Sequence, residues 1–485
     1  ADWGVLGVMT DGMMLGYLLA LLPDASLAAV GVLGLLLGWF LPRARQWPVR
    51  LLAAAGAVTV IATTVPVWNH DVYTLFDGSY GLDTATNTVR LVAAGSILLL
   101  LALSVPGTRG EARESEFVVL MVLGGLGAVL LAGANDLLVL LVAYLLASIP
   151  LYALTAFAKD APGTEAALKY YLFGALFGTT MLFGAALILG AGGATAYPML
   201  ANETYAAPRT ALALGAVAVL GGLLFKAGAV PAHFWVPDVT QGTRPEVAAL
   251  VTTVPKLGAI VAIYRLSAIV VDPSGLNWRL LLAVVAAATM TLGNFAAFFQ
   301  TDVRRLLAYS TISQVGYLLV GVVAADRSNL ALPGVLLYLA AYALTNLGAF
   351  AVVCAQPRLR TLTDYTGLLR RRPGLVIALV VCLLGLIGTP PTGIFVGKLT
   401  VFTAAFDTGL GWLVVLAIAN TVASVFYYLR WIGPTLREHS AGDQAHDRAL
   451  VVPRAVAYAA AAGAVLTGLL AGPIMNAAEG SLAVP

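Results

Sequence analysis

The fold is decided by one stretch of sequence, Phe225-Lys226-Ala227-Gly228-Ala229-Val230-Pro231-Ala232-His233-Phe234-Trp235-Val236-Pro237-Asp238, which sets a lysine and two prolines in an apolar region. A proline removes a backbone donor and clashes with the preceding turn, so a helix that reaches Pro231 breaks there. Broken backbone is tolerated at membrane depth only where protein or water satisfies its polar groups. The stretch therefore predicts a transmembrane helix that unwinds in mid-bilayer, with Lys226 facing a polar interior. A lipid-facing proline kink is the alternative.

The composition places the chain among polytopic membrane proteins. Of its 485 residues 60% are hydrophobic and 11% charged, against about 25% charged in ordinary globular domains. The net charge of +3 is too small to indicate a nucleic-acid partner. Cys354 and Cys382 lie in apolar segments without a CxxC or Cys/His cluster. They predict no iron–sulfur, haem or zinc site, and no metal site is expected elsewhere.

Apolar runs of about 20 residues, the length that a bilayer core requires, recur along the whole chain. We therefore predict an all-α polytopic membrane protein with about fourteen transmembrane helices. Their approximate spans are 18–41, 50–68, 88–105, 117–132, 135–157, 167–190, 210–230, 246–270, 279–299, 303–324, 331–355, 374–404, 410–432 and 455–476. The short start, with Asp2 and Asp11, is either part of a further apolar segment or an interfacial arm.

Basic residues concentrate in alternate loops, which predicts the orientation. One set of loops contains Arg43, Arg109, Arg244, Arg304 and Arg370 with many others, whereas the opposite set is nearly free of basic residues. Cytoplasmic loops carry an excess of lysine and arginine. The arginine-rich set is therefore predicted to be cytoplasmic, which places both termini on the outer side of the membrane.

A repeated pattern predicts the internal organisation. The broken stretch has a counterpart in Gly388-Thr389-Pro390-Pro391-Thr392-Gly393, followed by Lys398. We predict two inverted five-helix repeats, 117–270 and 279–432, each containing a broken helix, because units related by an odd number of helices have opposite orientations. N-terminal transmembrane helices (1–116) precede them, and a C-terminal loop with a last transmembrane helix (433–485) follows. Convergent apolar composition is the alternative explanation of the similarity.

The candidate functional residues are ionisable groups far from any loop: Lys226, Lys256, Lys398 and His233. Burial disfavours a charged ammonium relative to the neutral amine, so the three lysines are candidates for a proton relay. For any one of them, a structural lysine satisfied by carbonyl groups is the alternative. His233 titrates near physiological pH, but beside a helix break it could equally bind backbone carbonyls.

Polar side chains that could order water accompany the lysines: Asn294, Tyr309, Ser310, Thr311, Ser313, Gln314, Tyr342, Thr345 and Asn346. Each of them alone is equally compatible with a helix–helix hydrogen bond. Their concentration in the second predicted repeat favours a polar path through it.

Several motifs resemble those of a known family, the antiporter-like membrane subunits of respiratory complex I. The motifs are Phe225–Asp238, Val254-Pro255-Lys256, the segment 304–317, Leu344-Thr345-Asn346-Leu347-Gly348-Ala349-Phe350 and Gly388–Lys398. The resemblance covers most of the chain. A lysine at the position of Lys398 is similar to subunit N of that family, whereas the sister subunits L and M usually have an acid there.

The resemblance implies a proton-translocating subunit of NADH:quinone oxidoreductase in a bacterial inner (plasma) membrane. It implies no cofactor in this chain, with NADH, flavin, iron–sulfur clusters and quinone bound by partner subunits. The expected partners are other complex I membrane subunits, including a sister antiporter-like subunit, and the lipid bilayer. Two alternatives stay open: a subunit of a cation/proton antiporter or membrane-bound hydrogenase complex, and a membrane scaffold that has lost pumping.

One position departs from the family pattern. Relatives usually have a glutamate in the fifth helix that pairs with the lysine matching Lys226, and here Leu145 aligns with it. Asp136 lies nine residues earlier, about 13 Å along a helix, and cannot replace it. We therefore predict no carboxylate within about 4 Å of the Lys226 ammonium. The lysine is expected either to be neutral much of the time or to be hydrated by a water cluster near Ser148 and His233.

Overall fold

A computed structural model describes residues 11–68, 72–203, 208–271, 277–437 and 450–483. Within these ranges the chain forms twenty α-helices and one β-hairpin. The helices are α1 (Asp11–Phe40), α2 (Trp47–Thr64), α3 (Thr84–Thr108), α4 (Glu114–Gly133), α5 (Leu137–Leu146), α6 (Ile149–Thr155), α7 (Ala161–Gly192), α8 (Tyr197–Glu203), α9 (Arg209–Ala227), α10 (Trp235–Gly242), α11 (Pro245–Leu266), α12 (Trp278–Ala297), α13 (Val303–Val323), α14 (Ala331–Ala355), α15 (Leu368–Arg371), α16 (Pro373–Ile387), α17 (Gly393–Asp407), α18 (Gly411–Leu436), α19 (Val451–Leu469) and α20 (Ala471–Ala477). The antiparallel hairpin pairs β1 (Tyr73–Leu75) with β2 (Tyr80–Leu82).

The helices confirm the predicted all-α polytopic membrane fold. Thirteen helical segments are long and apolar enough to cross a bilayer. The 15-residue helices α16 and α17 lie end to end in sequence, with a break between them, where the sequence predicts one further span. The structure therefore agrees with about fourteen membrane spans.

Aspartates start several of the helices. Asp83 accepts a hydrogen bond from the backbone N–H of Thr86, and Asp136 accepts from those of Leu138 and Val139. Such caps satisfy N–H groups that have no partner within the helix. The polar residues between apolar runs thus fix where the helices begin.

The centre of the bundle consists of α11, α13 and α14, which are buried along nearly their whole length, whereas α7 has an extensive outer face. Glycines allow the closest contacts there. A Cβ atom on Gly258 of α11 would lie 2.1 Å from the carbonyl oxygen of Ala128. A Cβ atom on Gly316 of α13 would lie 2.4 Å from the nitrogen of Met290. Side chains larger than hydrogen at these positions would separate the central helices.

The predicted span 135–157 is present as an apolar segment, Leu137–Thr155, that is long enough to cross a bilayer. A turn at Ala147 and Ser148 divides it into α5 and α6. Pro150, in the first turn of α6, has no N–H to continue the helix and favours a helix start. The β-hairpin was not predicted, and Asp2 lies outside the described residues. The division of the chain into repeats stays a prediction.

Candidate functional site

Both predicted helix breaks are present, and glycines end the helices before them. The helix α9 stops at Gly228 (φ +77°) and α16 stops at Gly388 (φ +89°). Glycine adopts this left-handed conformation without the steric penalty of a Cβ atom. Each break also contains a cis peptide bond, Val230–Pro231 and Pro390–Pro391. Because α9 and α16 end here, the carbonyl groups of their last residues, Ala227 and Ile387, accept no hydrogen bond from an N–H group of the same helix.

Two buried lysines bind these released carbonyls. Lys256 of α11 donates a hydrogen bond from Nζ to the carbonyl oxygen of Ala227, the last residue of α9. Lys398 of α17 donates from Nζ to the carbonyl oxygen of Ile387, the last residue of α16, at 2.9 Å. Each ammonium thus lies at the negative, carboxyl-terminal end of a broken helix.

The two glycines also give the lysines room. A Cβ atom on Gly228 would lie 2.9 Å from Nζ of Lys256, and one on Gly388 would lie 3.0 Å from Cδ of Lys398. The ammonium of Lys398 also lies 3.9 Å from the ring centroid of Tyr317, within the range of a cation–π interaction. Glycine at each break is therefore part of the lysine site.

Lys226 lies at a third interruption, the turn between α5 and α6. Its Nζ donates to the carbonyl oxygen of Ala147 at 3.1 Å and to the hydroxyl oxygen of Ser148. The Ser148 hydroxyl in turn donates to the carbonyl oxygen of Tyr144, whose ring centroid is 4.9 Å from Nζ. All three buried lysines are therefore held by carbonyl, hydroxyl or aromatic groups.

The predicted absence of a carboxylate at Lys226 agrees with the structure, since none of the ion pairs among the described residues includes this lysine. The Leu145 side chain is 51% exposed on the outer surface of α5, whereas Lys226 is fully buried. The turn at Ala147 and Ser148, together with the Tyr144 ring of α5, faces the lysine.

His233 lies inside the first break but does not join the lysine cluster. Its ring packs 4.6 Å from that of Phe234, and its Nδ1 has no hydrogen-bond partner among the described residues. No hydrogen bond joins it to Lys226 within the part of the chain that the structure describes. The predicted water cluster between Lys226, Ser148 and His233 stays a prediction.

On the Lys256 side, a polar network begins one turn before the lysine. The hydroxyl of Tyr342 donates to the carbonyl oxygen of Thr252 at 2.7 Å. The side-chain amide of Asn346 donates to the hydroxyls of Thr252 and Thr253 at 3.1 and 2.8 Å. Tyr342 and Asn346 were both candidates from the sequence, and the structure brings them to α11.

The network continues to the Lys398 side through Gln314. The hydroxyl of Tyr338, one turn before Tyr342 on α14, donates to Oε1 of Gln314. The Gln314 amide donates to the carbonyl oxygen of Leu386 at 2.7 Å. Leu386 precedes the residue whose carbonyl binds Lys398. Hydrogen-bonding groups on α14 and α13 thus join the surroundings of the two lysines.

Sequence reasoning missed a buried ion pair near the hairpin. Arg265 at the end of α11 binds Asp83 at 2.7 Å, and both side chains are fully buried. Its Nε donates to the carbonyl oxygen of Ala132 at 3.1 Å, and the backbone N–H of Ala483 donates to Asp83 at 2.8 Å. The sequence offered a signal in Arg265, a charge at the end of a mostly apolar helix. The ion pair and its hydrogen bonds thus connect α11, the start of α3, the end of α4 and the segment at Ala483.

A polar cavity of about 500 Å³ lies on the arginine-rich face, between the first turns of α7, α11 and α13. Asp238 at its wall accepts hydrogen bonds from Lys169 and Arg305, both at 2.9 Å. Asp160 and Arg304 line it as well. Its charges are mixed and largely paired, so water can enter here toward α10 and α11. The described residues contain no cluster of His, Cys, Asp and Glu side chains that could hold a metal ion.

Residues 134–424, which include both breaks and all three lysines, match a family described as "NADH:quinone oxidoreductase/Mrp antiporter, TM". The chain belongs to this family. Two relatives within it are NADH-quinone oxidoreductase subunit N 1 of Streptomyces griseus and subunit N of Mycobacterium sp. (strain JLS). The first is 52% identical and the alignment covers 94% of this chain and 97% of the relative. The second is 48% identical, with 93% and 96% covered.

Solved structures of the family share the fold. A chain of respiratory complex I from Thermus thermophilus superposes with a TM-score of 0.81 at 31% identity, covering 94% of this chain and all of that chain. A chain of the Mrp complex from Dietzia sp. gives 0.83 at 23% identity, with 96% and 97% covered. The second likeness concerns the fold alone. The family resemblance expected from the motifs is therefore confirmed.

Proposed function

We propose that this chain is a proton-translocating membrane subunit of an NADH-quinone oxidoreductase, as its relatives are named. Protons move through a relay of Lys226, Lys256, Lys398 and water, driven by redox chemistry in other subunits. The observation that carries the proposal is the setting of the lysines. Each buried ammonium is held at an interrupted helix without a carboxylate partner among the described residues.

This setting suits a group that must both release and regain a proton. An ammonium has three N–H donors, and Lys256 uses one of them within the described chain. The other two are free to bind water. Because no full negative charge opposes it, the ammonium is not locked in place, and burial brings the neutral amine within reach. Each lysine can therefore exchange its proton with water.

The hydroxyl and amide network provides a path between the lysines. Tyr342 and Tyr338 lie one turn apart on the same face of α14 and contact Thr252 and Gln314. These groups both donate and accept hydrogen bonds, so with intervening water they can pass a proton between Lys256 and Lys398. The polar cavity beside Asp238 is the proposed entrance, and His233 at the break is a further member of the proposed relay.

The organisation predicted from the sequence is part of the proposal. The repeats are 117–270 and 279–432, flanked by 1–116 and 433–485, and the matching glycine-ended breaks support this division. The arginine-rich face is cytoplasmic, with both termini on the outer side of a bacterial plasma membrane. A sister antiporter-like subunit adjoins the chain, and partner subunits bind NADH, flavin, iron–sulfur clusters and quinone.

The second candidate is a subunit of a stand-alone cation/proton antiporter, which the family description favours because it includes Mrp antiporters. Affinity purification of the tagged chain from its native membrane distinguishes the two. Flavin and iron–sulfur proteins should accompany it if the first proposal holds. Their absence, together with antiport activity of the isolated assembly, would favour the second.

The relay is tested by Lys256→Met, which keeps the length and apolar stem of the side chain but removes the titrating group. In the assembled complex, NADH-driven proton uptake into vesicles should fall severely while the subunits still assemble. Lys159→Met is the matched control, because Lys159 is exposed in the loop before α7. Wild-type proton translocation by Lys256→Met would refute the relay.

A further inference from the structure

An apolar groove lies on the surface between α16 and α19. It encloses about 490 Å³, and none of the three buried lysines lines it. Gly374, Ile377 and Val381 line it from α16, and Tyr458, Ala462 and Leu466 line it from α19. Ile377 is 59% exposed and Leu466 53% exposed. The groove is thus open along its length to whatever surrounds the protein.

The groove starts at the arginine-rich face and runs into the bilayer. Both helices begin on that face, and at 1.5 Å per residue the groove extends about 10 Å from Gly374 to Val381 and about 12 Å from Tyr458 to Leu466. The hydrocarbon core is about 30 Å thick. The apolar part therefore reaches about a third of the way across, into the depth that lipid chains occupy.

Two arginines lie within one helical turn of the first residues that line the groove. Arg372 is the last residue before α16, and Arg454 lies one turn before Tyr458 on α19. Both arginines are half-buried, and neither forms an ion pair with any carboxylate that the structure describes. The Tyr458 hydroxyl lies between the helices here, since a Cβ atom on Gly374 would be 2.7 Å from it. The positive end of the α16 dipole points to the same place.

We propose that this groove binds one anionic phospholipid from the leaflet on the arginine-rich side. An acyl chain lies along the apolar walls, and the phosphate lies at the mouth between Arg372 and Arg454. Guanidinium groups bind phosphate oxygens in a bidentate fashion, and the Tyr458 hydroxyl can donate a further hydrogen bond. Apolar walls alone would suit a hydrophobic helix as well, but two arginines without an ion pair among the described residues favour a ligand with an anionic head group. Charge complementarity thus favours the anionic lipid.

The test uses the full chain in nanodiscs of equal parts phosphatidylglycerol and phosphatidylcholine. Either lipid carries a photoactivatable group on its acyl chain, and crosslinked peptides are mapped by mass spectrometry. Phosphatidylglycerol should label peptides covering 374–381 and 458–466 more strongly than phosphatidylcholine. Arg372→Gln and Arg454→Gln should each reduce that labelling about fivefold, equivalent to about 1 kcal/mol per basic residue near an anionic surface.

A second pair of variants tests the groove itself. Ala462→Phe fills the wall and should abolish the selective labelling, whereas Ala459→Phe, exposed on α19 outside the groove, should not. Equal labelling by the two lipids, or labelling unchanged in the arginine variants, would overturn the proposal. So would crosslinking of the groove to a neighbouring subunit in the intact complex. Proton transport is not part of the readout, so this proposal and the relay fail separately.

Discussion

Replacing Gly228 by alanine should damage the Lys256 site through its backbone. Gly228 has φ +77°, where an L-residue with a Cβ atom costs about 1–2 kcal/mol. The new methyl carbon would lie 2.9 Å from Nζ of Lys256 and 2.8 Å from Cγ2 of Val236. The flexible lysine end moves most easily, so its bond to Ala227 weakens. A hydrogen bond from a charged group contributes about 1.5–3 kcal/mol, which gives a total cost of about 2.5–5 kcal/mol.

The assay follows two quantities in the purified complex: the midpoint of thermal inactivation and the protons translocated per NADH oxidised. Gly228→Ala should lower both. Gly190→Ala is the matched control, because Gly190 is exposed on α7 with no atom within 4 Å of a built Cβ. Gly388→Ala should have a smaller effect on its lysine, since the methyl group would meet Cδ of Lys398 at 3.0 Å and not the ammonium.

One result would refute this reasoning. If Gly228→Ala translocates protons as the wild type does and inactivates at the midpoint of Gly190→Ala, then the glycine is not required for the Lys256 contact. The contact between the helix break at Gly228 and Lys256 would then not be needed for proton translocation, even if Lys256 itself were essential.

Three further variants test other parts of the structure. Lys398→Ala should reduce coupled turnover much more than Lys159→Ala, because only Lys398 is buried at a helix end; equal effects in vesicle assays would contradict the distinction. Arg265→Met leaves the Asp83 carboxylate buried without its counter-charge, which costs about 3–5 kcal/mol, so the assembled subunit should largely disappear from membrane immunoblots. Desolvation acts to raise the pKa of Asp364, but hydrogen bonds from Thr361 and Arg360 lower it below its ordinary value. This carboxylate therefore stabilises the fold above the unfolded-state pKa, and the contribution is lost as pH falls through the folded-state pKa. Asp364→Asn should accordingly lower the thermal midpoint at pH 7, and this deficit should shrink as the pH falls below the ordinary aspartate pKa.

The helix breaks could be predicted because their signals are local. Proline and glycine act within one turn of themselves, so Gly228 and Gly388 identify the breaks without any knowledge of packing. The carbonyl that each lysine binds could not be predicted in the same way. Lys256 reaches a residue 29 positions earlier, and Lys226 reaches one 79 positions earlier. Those contacts depend on how α11 and α9 pack.

The dependence on packing also explains why the sequence did not reveal the ion pair of Arg265 and Asp83 or the exposed position of Leu145. Arg265 and Asp83 are 182 residues apart, and the sequence around each residue gives no indication that the two side chains pair. Alignment along the chain identifies Leu145 as the position of the missing acid, but it does not reveal that this side chain is 51% exposed while Lys226 is fully buried. Which side of α5 faces the lysine depends on how α5 packs against its neighbours.

The three lysine sites share a counter-charge weaker than a carboxylate. Each ammonium meets the carboxyl-terminal end of a helix, where aligned peptide dipoles present about half a negative charge. That end stabilises a nearby cation by up to about 2 kcal/mol in partly buried positions, whereas removing one partner of a buried full ion pair costs about 3–5 kcal/mol. A helix end therefore lowers the cost of burying the protonated lysine without making the neutral form inaccessible. In the proposed relay, Lys226 therefore needs no glutamate at position 145, because Ala147 and Ser148 provide a weaker partner for its ammonium.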